Sequence, residues 1–240
     1  MRIAIHQPHY FPWLGYLDKM AKVDQFVLMD DVQLTDKSNM FRNKFLSKSG
    51  NEKYLTVCFK KQGYMGKPFK EVELNPQVNW QQDHMNFIRD NYLKAPFFDE
   101  IWDEIGVIFE KHYNFLCNVA IDSLSIMKNL YGIHTRLISQ SELDYDHNAK
   151  KNDLVLSLCH TMGANEYLSG NGARKYMDLQ PYVDSGIRVE FQQFTYPQYK
   201  QINSSEFVPN LCSLDLLFNY GIEKSKKIFW DNVTSTLEFN

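Results

Sequence analysis

Along the first thirty residues, short apolar runs and polar breaks follow one another in a regular order. Residues 2–6 form an apolar run with strand character, and Pro8 and Pro12 interrupt it. Leu14, Leu17, Met20 and Ala21 then fall on one stripe of a helix over 13–22. A second apolar run at 25–29 ends in the carboxylate pair Asp30 and Asp31. Strand, helix and strand at this spacing predict a β-α-β unit opening a parallel sheet, and such sheets bind ligands outside the carboxyl ends of their strands. His6, Gln7, Asp30, Asp31 and Gln33 are expected at that edge.

Farther on, residues 35–53 are polar and basic around Phe41-Arg42-Asn43-Lys44-Phe45, residues 54–59 form a β-branched and aromatic strand, and 60–70, with Gly63, Gly66 and Pro68, read as a mobile loop. Helices are predicted over 80–92 and, after the break at Pro96, over 99–130 with at least one interruption, giving a helical insert or subdomain at about 80–131. Alternation then resumes. A strand at 133–138 leads to a helix over 148–162 with Leu154, Leu158 and Cys159 inward. A strand at 166–168 stops at Ser169-Gly170-Asn171-Gly172, and a helix follows to about 177. A strand at 187–191 and helices at 213–220 and from 222 complete the pattern. The expected class is α/β, a Rossmann-like parallel sheet with flanking helices, in one domain over residues 1–240.

Composition narrows the functional classes. The chain is 44% hydrophobic and 23% charged, which matches a globular protein with a sizeable core and excludes a disordered, collagen-like or membrane-spanning one. Net charge is -3 and no basic run exceeds a pair, so duplex nucleic acid or an anionic membrane surface is not the expected partner, whereas a compact anionic ligand stays open. The N-terminus enters a strand without the apolar stretch of a secretion signal, so the expected location is cytoplasmic, with no membrane span. Cys58, Cys117, Cys159 and Cys212 are far apart and form no CxxC pair, which favours buried reduced thiols over a disulfide or zinc site. Aromatic content of 15% leaves room for an apolar dimer surface, and a homo-oligomer is open.

The densest candidate chemistry lies at 6–16, where two His, a Gln, four aromatics, two Pro and a Gly share eleven residues. Prolines stiffen such a loop and Gly15 lets backbone approach closely. Tyr10, Trp13 and Tyr16 offer stacking faces for a base or sugar ring, beside His6, Gln7 and His9; the alternative is that the aromatics plug the end of the sheet. Asp30, Asp31 and Gln33 could hold sugar hydroxyls, a magnesium ion or an amine, or simply build a turn and helix cap. Arg42, Asn43 and Lys44 suit phosphate or make a solvated basic loop. Ser169, Gly170, Asn171 and Arg174, between a strand and a helix, would expose backbone N–H groups to phosphate or carboxylate, though without the spacing of a P-loop or a dinucleotide loop. Asp215 and Asn219 lie four apart on one face of the helix from Ser213, as candidate ligand contacts or solvated groups. No Ser-His-Asp order, HExxH or nucleophile elbow is present. His6 and His84 are the candidate catalytic histidines, and Asp31 is the candidate carboxylate. His6 and His9 lack a third ligand at metal spacing, so no metal site is assigned.

The stretches HQPHYFPWLGYLDKM, DDVQ followed by FRNKF, YLSGNGARKYM and PNLCSLDLLFNYG resemble, in order and spacing, those of the WbqC-like protein family over nearly the whole chain. That resemblance implies bacterial O-antigen or other surface-polysaccharide biosynthesis. The implied activity is modification of a nucleotide-linked amino sugar, by acyl or aminoacyl transfer to the sugar amine. The 6–16 loop and Asp30 would then flank the sugar or base, Arg42, Lys44 and the 169–174 loop would meet phosphates, and His6 or Asp31 would take the amine proton. No cofactor is obligatory in this reading, magnesium stays open, and the acyl donor is unassigned. A second similarity is to the adenylyl- and cytidylyltransferase superfamily, with Trp13-Leu14-Gly15-Tyr16 in place of its Pro-x-His-x-Gly-His loop and 169–174 in place of its serine-rich phosphate loop. Aromatics replace both histidines there. Two alternatives remain: nucleotidyl transfer or nucleotide activation on the same fold, and a non-catalytic sugar- or carrier-binding protein.

Overall fold

A computed structural model describes residues 1–34 and 38–237, so the start of the polar stretch, at 35–37, lies outside the described residues. Its elements in chain order are β1 (Arg2–His6), α1 (Leu14–Ala21), β2 (Gln25–Leu28), β3 (Arg42–Leu46), β4 (Glu52–Thr56), α2 (Trp80–Tyr92), α3 (Phe98–Ile105), α4 (Val107–Glu110), α5 (Leu116–Leu130), β5 (Arg136–Ser139), α6 (Asn152–Thr161), β6 (Glu166–Ser169), α7 (Gln180–Asp184), β7 (Arg188–Phe191) and α8 (Leu214–Leu237). Five strands form one sheet in the order β5-β2-β1-β6-β7, with every pairing parallel. The chain is therefore α/β and Rossmann-like. From β1 it winds outward through β2 to β5 and then returns to the other side of β1 through β6 and β7, so the strand order reverses between β1 and β6. A crevice at the carboxyl ends of those two strands is the usual consequence.

Period-two alternation divides the core between the two faces of the sheet. Ala4, Phe26, Leu28 and Leu168 pack with Leu14, Leu17 and Met20 of α1, Leu124 of α5 and Leu217 of α8. On the opposite face Ile3, Ile5, Val27 and Tyr167 meet Leu154, Leu158 and Cys159 of α6 and Tyr182 of α7. Each such fully buried aliphatic side chain stabilises the fold by roughly 1.5–3 kcal/mol. The threonine hydroxyl of Thr135 donates to the carbonyls of Met20 at 2.8 Å and Val23 at 3.2 Å, closing the end of α1. Cys117, Cys159 and Cys212 are buried free thiols and Cys58 is half-buried.

Several elements differ from the sequence pattern. The stretch around Arg42 is β3, paired antiparallel with β4 as a separate hairpin, Arg42 opposite Thr56 and Leu46 opposite Glu52. Its inward positions include the polar Asn43, and β4 begins two residues before the aromatic run, so apolar alternation marks neither strand cleanly. The stretch at 99–130 resolves into α3, α4 and α5. The helix expected after Gly172 is only a 3-10 turn, Asn171–Lys175, too short to present the aligned dipole of an α-helix.

Gly221 bends α8, with φ 71° and ψ 174° in a region that side chains avoid. A Cβ there would lie 2.6 Å from the Phe97 ring. Gly221→Ala is expected to destabilise the protein by about 2–4 kcal/mol, combining backbone strain with overpacking. Urea unfolding would read this as a lower midpoint with an unchanged slope.

Candidate functional site

Residues 7–13, leading from β1 to α1, carry few backbone hydrogen bonds of regular structure, yet neighbouring elements fix them. The Tyr10 amide donates to the Asn39 carbonyl at 2.9 Å. Phe11, at φ 37°, is a non-glycine residue in the left-handed region; its amide donates to Ser123 Oγ at 3.1 Å, and its carbonyl accepts from Asn43 Nδ2 at 2.6 Å. Both Ser213 Oγ and the Ser213 amide donate to the Pro12 carbonyl, at 2.5 and 3.0 Å. Buried donors thus satisfy the Phe11 and Pro12 carbonyls and hold the turn in a strained shape that costs roughly 1–3 kcal/mol.

This rigid turn places Trp13 and Tyr16 beside the β1–β6 crevice. A cavity of about 630 Å³ opens there, with His6, Tyr16 and Lys19 on its floor side, Gly170, Asn171 and Gly172 along one rim, and residues 192–196 with Trp13 and Asn210 as the wall. Trp13 lies edge-on to Phe194, centroids 5.4 Å apart, and 5.9 Å from Tyr196. The ring also rests on Gly15, where a Cβ would be 2.0 Å from it, so only glycine fits beneath. Gln192 ties the wall to α1: its Nε2 donates to the Gly15 carbonyl at 2.7 Å and to Asp18 Oδ2 at 2.6 Å. Asp18 also pairs with Lys22 at 2.8 Å, both side chains nearly inaccessible, and Lys22 Nζ donates further to the Gln193 carbonyl and Thr236 Oγ1.

The floor is rich in nitrogen bases. The His6 and His9 rings meet edge-on at 4.8 Å, and His9 lies 4.6 Å from Tyr16, whose hydroxyl donates to the Gln7 carbonyl at 3.0 Å. His6 Nδ1 is 3.1 Å from that same carbonyl, which can only accept; Nδ1 therefore carries the proton and Nε2 the lone pair. Burial, reinforced by Lys19, holds His6 well below its ordinary range and drives His9 down to about 3, so both are neutral near pH 7. Lys19 is buried on α1, donates to the Ile5 carbonyl at 3.2 Å and lies 5.6 Å from the Phe26 ring. Burial lowers its ammonium to about 7.

The structure brings together His6, Trp13, Tyr16, Gly170 and Asn171 from the candidates read in the sequence, with His9 packed directly behind. Gln7 and Ser169 face the other side of the sheet, in a second cavity of about 700 Å³ bordered by Tyr167, Tyr176 and Tyr182. Asn43 and Lys44 border a small cavity of about 220 Å³ behind Trp13, and Lys44 pairs with Glu52. The remaining candidates stand elsewhere. Tyr10 is fully buried and its hydroxyl donates to His84 Nδ1 at 2.9 Å, while His84 Nε2 donates to the Thr56 carbonyl at 3.2 Å; burial lowers His84 to about 4. Asp30 accepts from the Ser141 amide and hydroxyl, at 2.9 and 2.6 Å. At Asp31, desolvation is outweighed by Lys70 at 2.7 Å and the Tyr145 hydroxyl at 2.8 Å, so its carboxyl is lowered. Gln33 is exposed and bridges to Pro68. Arg42 stacks over Tyr54 at 4.3 Å, and Arg174 over Phe191 at 4.7 Å. Asp215 accepts from the Tyr92 and Tyr199 hydroxyls and Gln201, and Asn219 accepts from the Ile202 amide, so this pair anchors the 199–202 segment to α8. Lys19 and the 192–196 wall were absent from the sequence candidates. The signal for Lys19 is a lysine one turn after Tyr16 within an apolar helical stripe; for the wall, it is an aromatic pair just past a strand end.

The model of the WbqC-like protein family matches residues 7–227. The chain belongs to this family. The uncharacterized protein Rv1507c of Mycobacterium tuberculosis (strain ATCC 25618 / H37Rv) is 34% identical over 226 residues, covering 92% of this chain and 95% of its own length. No solved structure matches the chain. The matched span of the WbqC-like family includes the 7–16 turn, Lys19, the 169–172 rim and Asn210. Among the described residues no helix is long and apolar enough to cross a membrane, and no group of three or more His, Cys, Asp or Glu is placed to hold a metal ion.

A buried amine with a native value near 7 and an ordinary unfolded value near 10.4 makes stability depend on pH. Between these values the unfolded chain binds more protons, so the Lys19 contribution rises with pH through that window; below about pH 7 the whole penalty of burying an ammonium remains. Lys19→Met is expected to stabilise the protein at pH 7 by on the order of 3 kcal/mol, and the gain should vanish towards pH 10. Thermal unfolding of both proteins across pH 6–10 measures it.

Proposed function

We propose that this protein is a group-transfer enzyme of bacterial surface-polysaccharide biosynthesis that acts on a nucleotide-linked amino sugar, by acyl or aminoacyl transfer to the sugar amine. The observation carrying the reading is the cavity at the strand-order reversal, which combines an aromatic wall, a glycine-bearing rim and a floor of neutral bases. Its volume of about 630 Å³ falls in the range of small-molecule sites. Trp13 and Tyr196 offer ring faces to the base, and the 170–172 rim offers backbone groups to the phosphates. In the transfer step the sugar nitrogen attacks the acyl carbonyl and a C–N bond forms. The donor's leaving group departs with the bonding electron pair and takes up, by way of His6 Nε2, the proton that the nitrogen loses. Asp31 is assigned no part in this step, because its carboxylate is engaged by Lys70 and Tyr145.

The purified protein is expected to show a saturable rise in melting temperature with at least one of a panel of dTDP-, UDP- and GDP-linked sugars. Trp13→Ala should weaken that binding by about fivefold or more, since stacking of a base on an aromatic ring contributes about 1–3 kcal/mol. No shift with any sugar nucleotide would sink the reading. Release of pyrophosphate from ATP or CTP with magnesium would replace it by nucleotidyl transfer, and binding with no change in ligand mass after prolonged incubation with acyl donors would replace it by a carrier role.

A further inference from the structure

Two lysines three residues apart, Lys19 on α1 and Lys22 just past its end, both have nearly inaccessible side chains, but their surroundings differ. Lys22 has Asp18 as its counter-charge. Lys19 is 3% exposed and has the Ile5 carbonyl as its acceptor, with no carboxylate paired to it among the described residues. Among the described residues lining the cavity, Lys19 is the one Lys or Arg, and no Asp or Glu lines it. His9 adds a buried ring nitrogen, Nδ1, with no hydrogen-bond partner, in the cluster behind His6. A buried cation without a counter-ion is costly, and a cavity lined by one lysine and no carboxylate favours a ligand that brings the negative charge.

We propose that the cavity floor is an oxyanion site in which Lys19 takes up a proton as it receives a phosphate or carboxylate group of the ligand. The inference names which part of the substrate reaches the floor, and to that extent it rests on the nucleotide-sugar reading. The groups facing Lys19 leave it as the titrating partner near neutral pH. His6, from the end of β1, and His9, from the following turn, are already neutral, and the Tyr16 hydroxyl is pushed upward by burial. Phe26 of β2 carries no charge, Gln192 and Gln193 beyond β7 are neutral, and the Asp18 carboxylate is taken by Lys22 and Gln192. An amine poised at about 7 passes from neutral to charged when an anion arrives, so binding consumes a proton above that pH.

The test uses the full chain with sulfate, a dianion that does not titrate in this range, and acetate, followed by tryptophan fluorescence from pH 6 to 8.5 and by calorimetry in two buffers of different ionisation enthalpy. Saturable binding is expected that weakens roughly tenfold per pH unit above about 7, with proton uptake approaching one per site at pH 8. Preference for sulfate identifies a phosphate group as the natural occupant, and preference for acetate a carboxylate. Lys19→Met, expected to fold because it removes a buried charge, should lose the anion and the uptake, whereas Lys19→Arg should retain binding without the pH dependence. Failure of both anions to bind, or the same pH dependence in Lys19→Met, overturns the proposal. Sugar-nucleotide shifts that persist unchanged in Lys19→Met would overturn it while leaving the proposed function standing; proton-linked anion binding with no sugar-nucleotide shift would do the reverse.

Discussion

The seat of Trp13 on the bare backbone of Gly15 sets the geometry of the whole cavity. With 2.0 Å between the ring and the place a Cβ would occupy, any side chain at position 15 forces the indole off α1. The indole in turn supports Phe194 and Tyr196, so the wall beyond β7 is registered against the turn beyond β1 by ring packing. Gln192 adds the polar half of the same joint by donating to the Gly15 carbonyl itself. One residue with no side chain thus serves two elements, one through the space it leaves and the other through its carbonyl.

Charge is distributed around this joint with a clear division. Asp18 with Lys22 and Asp31 with Lys70 are closed ion pairs, and Asp30 and Asp215 spend their oxygens on neighbouring donors. These groups anchor segments. At the cavity floor the arrangement is inverted: three nitrogen bases converge, burial suppresses the charge on each, and no Asp or Glu stands among the described residues that line the cavity. In a buried environment such an imbalance lasts only where packing compels it, and here α1, β1 and the strained Phe11 turn supply that compulsion.

The layered fold was legible in the chain because its signal is local. Proline breaks, apolar runs at 2–6 and 25–29 and the inward Leu154, Leu158 and Cys159 follow from strand and helix periods that need no knowledge of partners. The β3–β4 hairpin was less legible, since an inward Asn43 that serves the Tyr10 and Phe11 carbonyls looks polar in sequence and acts as core. The site was legible by half. The density of His, Pro and aromatic residues at 6–16 marked a turn that borders a cavity, but which rings seal the core and which line that cavity depends on α2 and the 192–196 segment, both remote in sequence. Tyr10 and His84 turned inward to each other, while Trp13 and Tyr16 stayed at the crevice. Lys19 escaped notice because a lysine in an amphipathic helix normally reaches solvent, and only the packed structure shows that its amine does not.

The bonds that close the cavity join distant parts of the chain: Gln192 reaches Asp18 across 174 positions, Ser213 reaches Pro12 across 201, and Lys22 reaches Thr236 across 214. Contacts of such long range bear the largest loop-closure entropy, which makes them poor folding nuclei. The pocket therefore belongs to the cooperative whole, with no local stretch of chain able to build it alone. Occupancy of that space would then brace the two ends of the polypeptide against each other, and a ligand would act as a clamp on global unfolding.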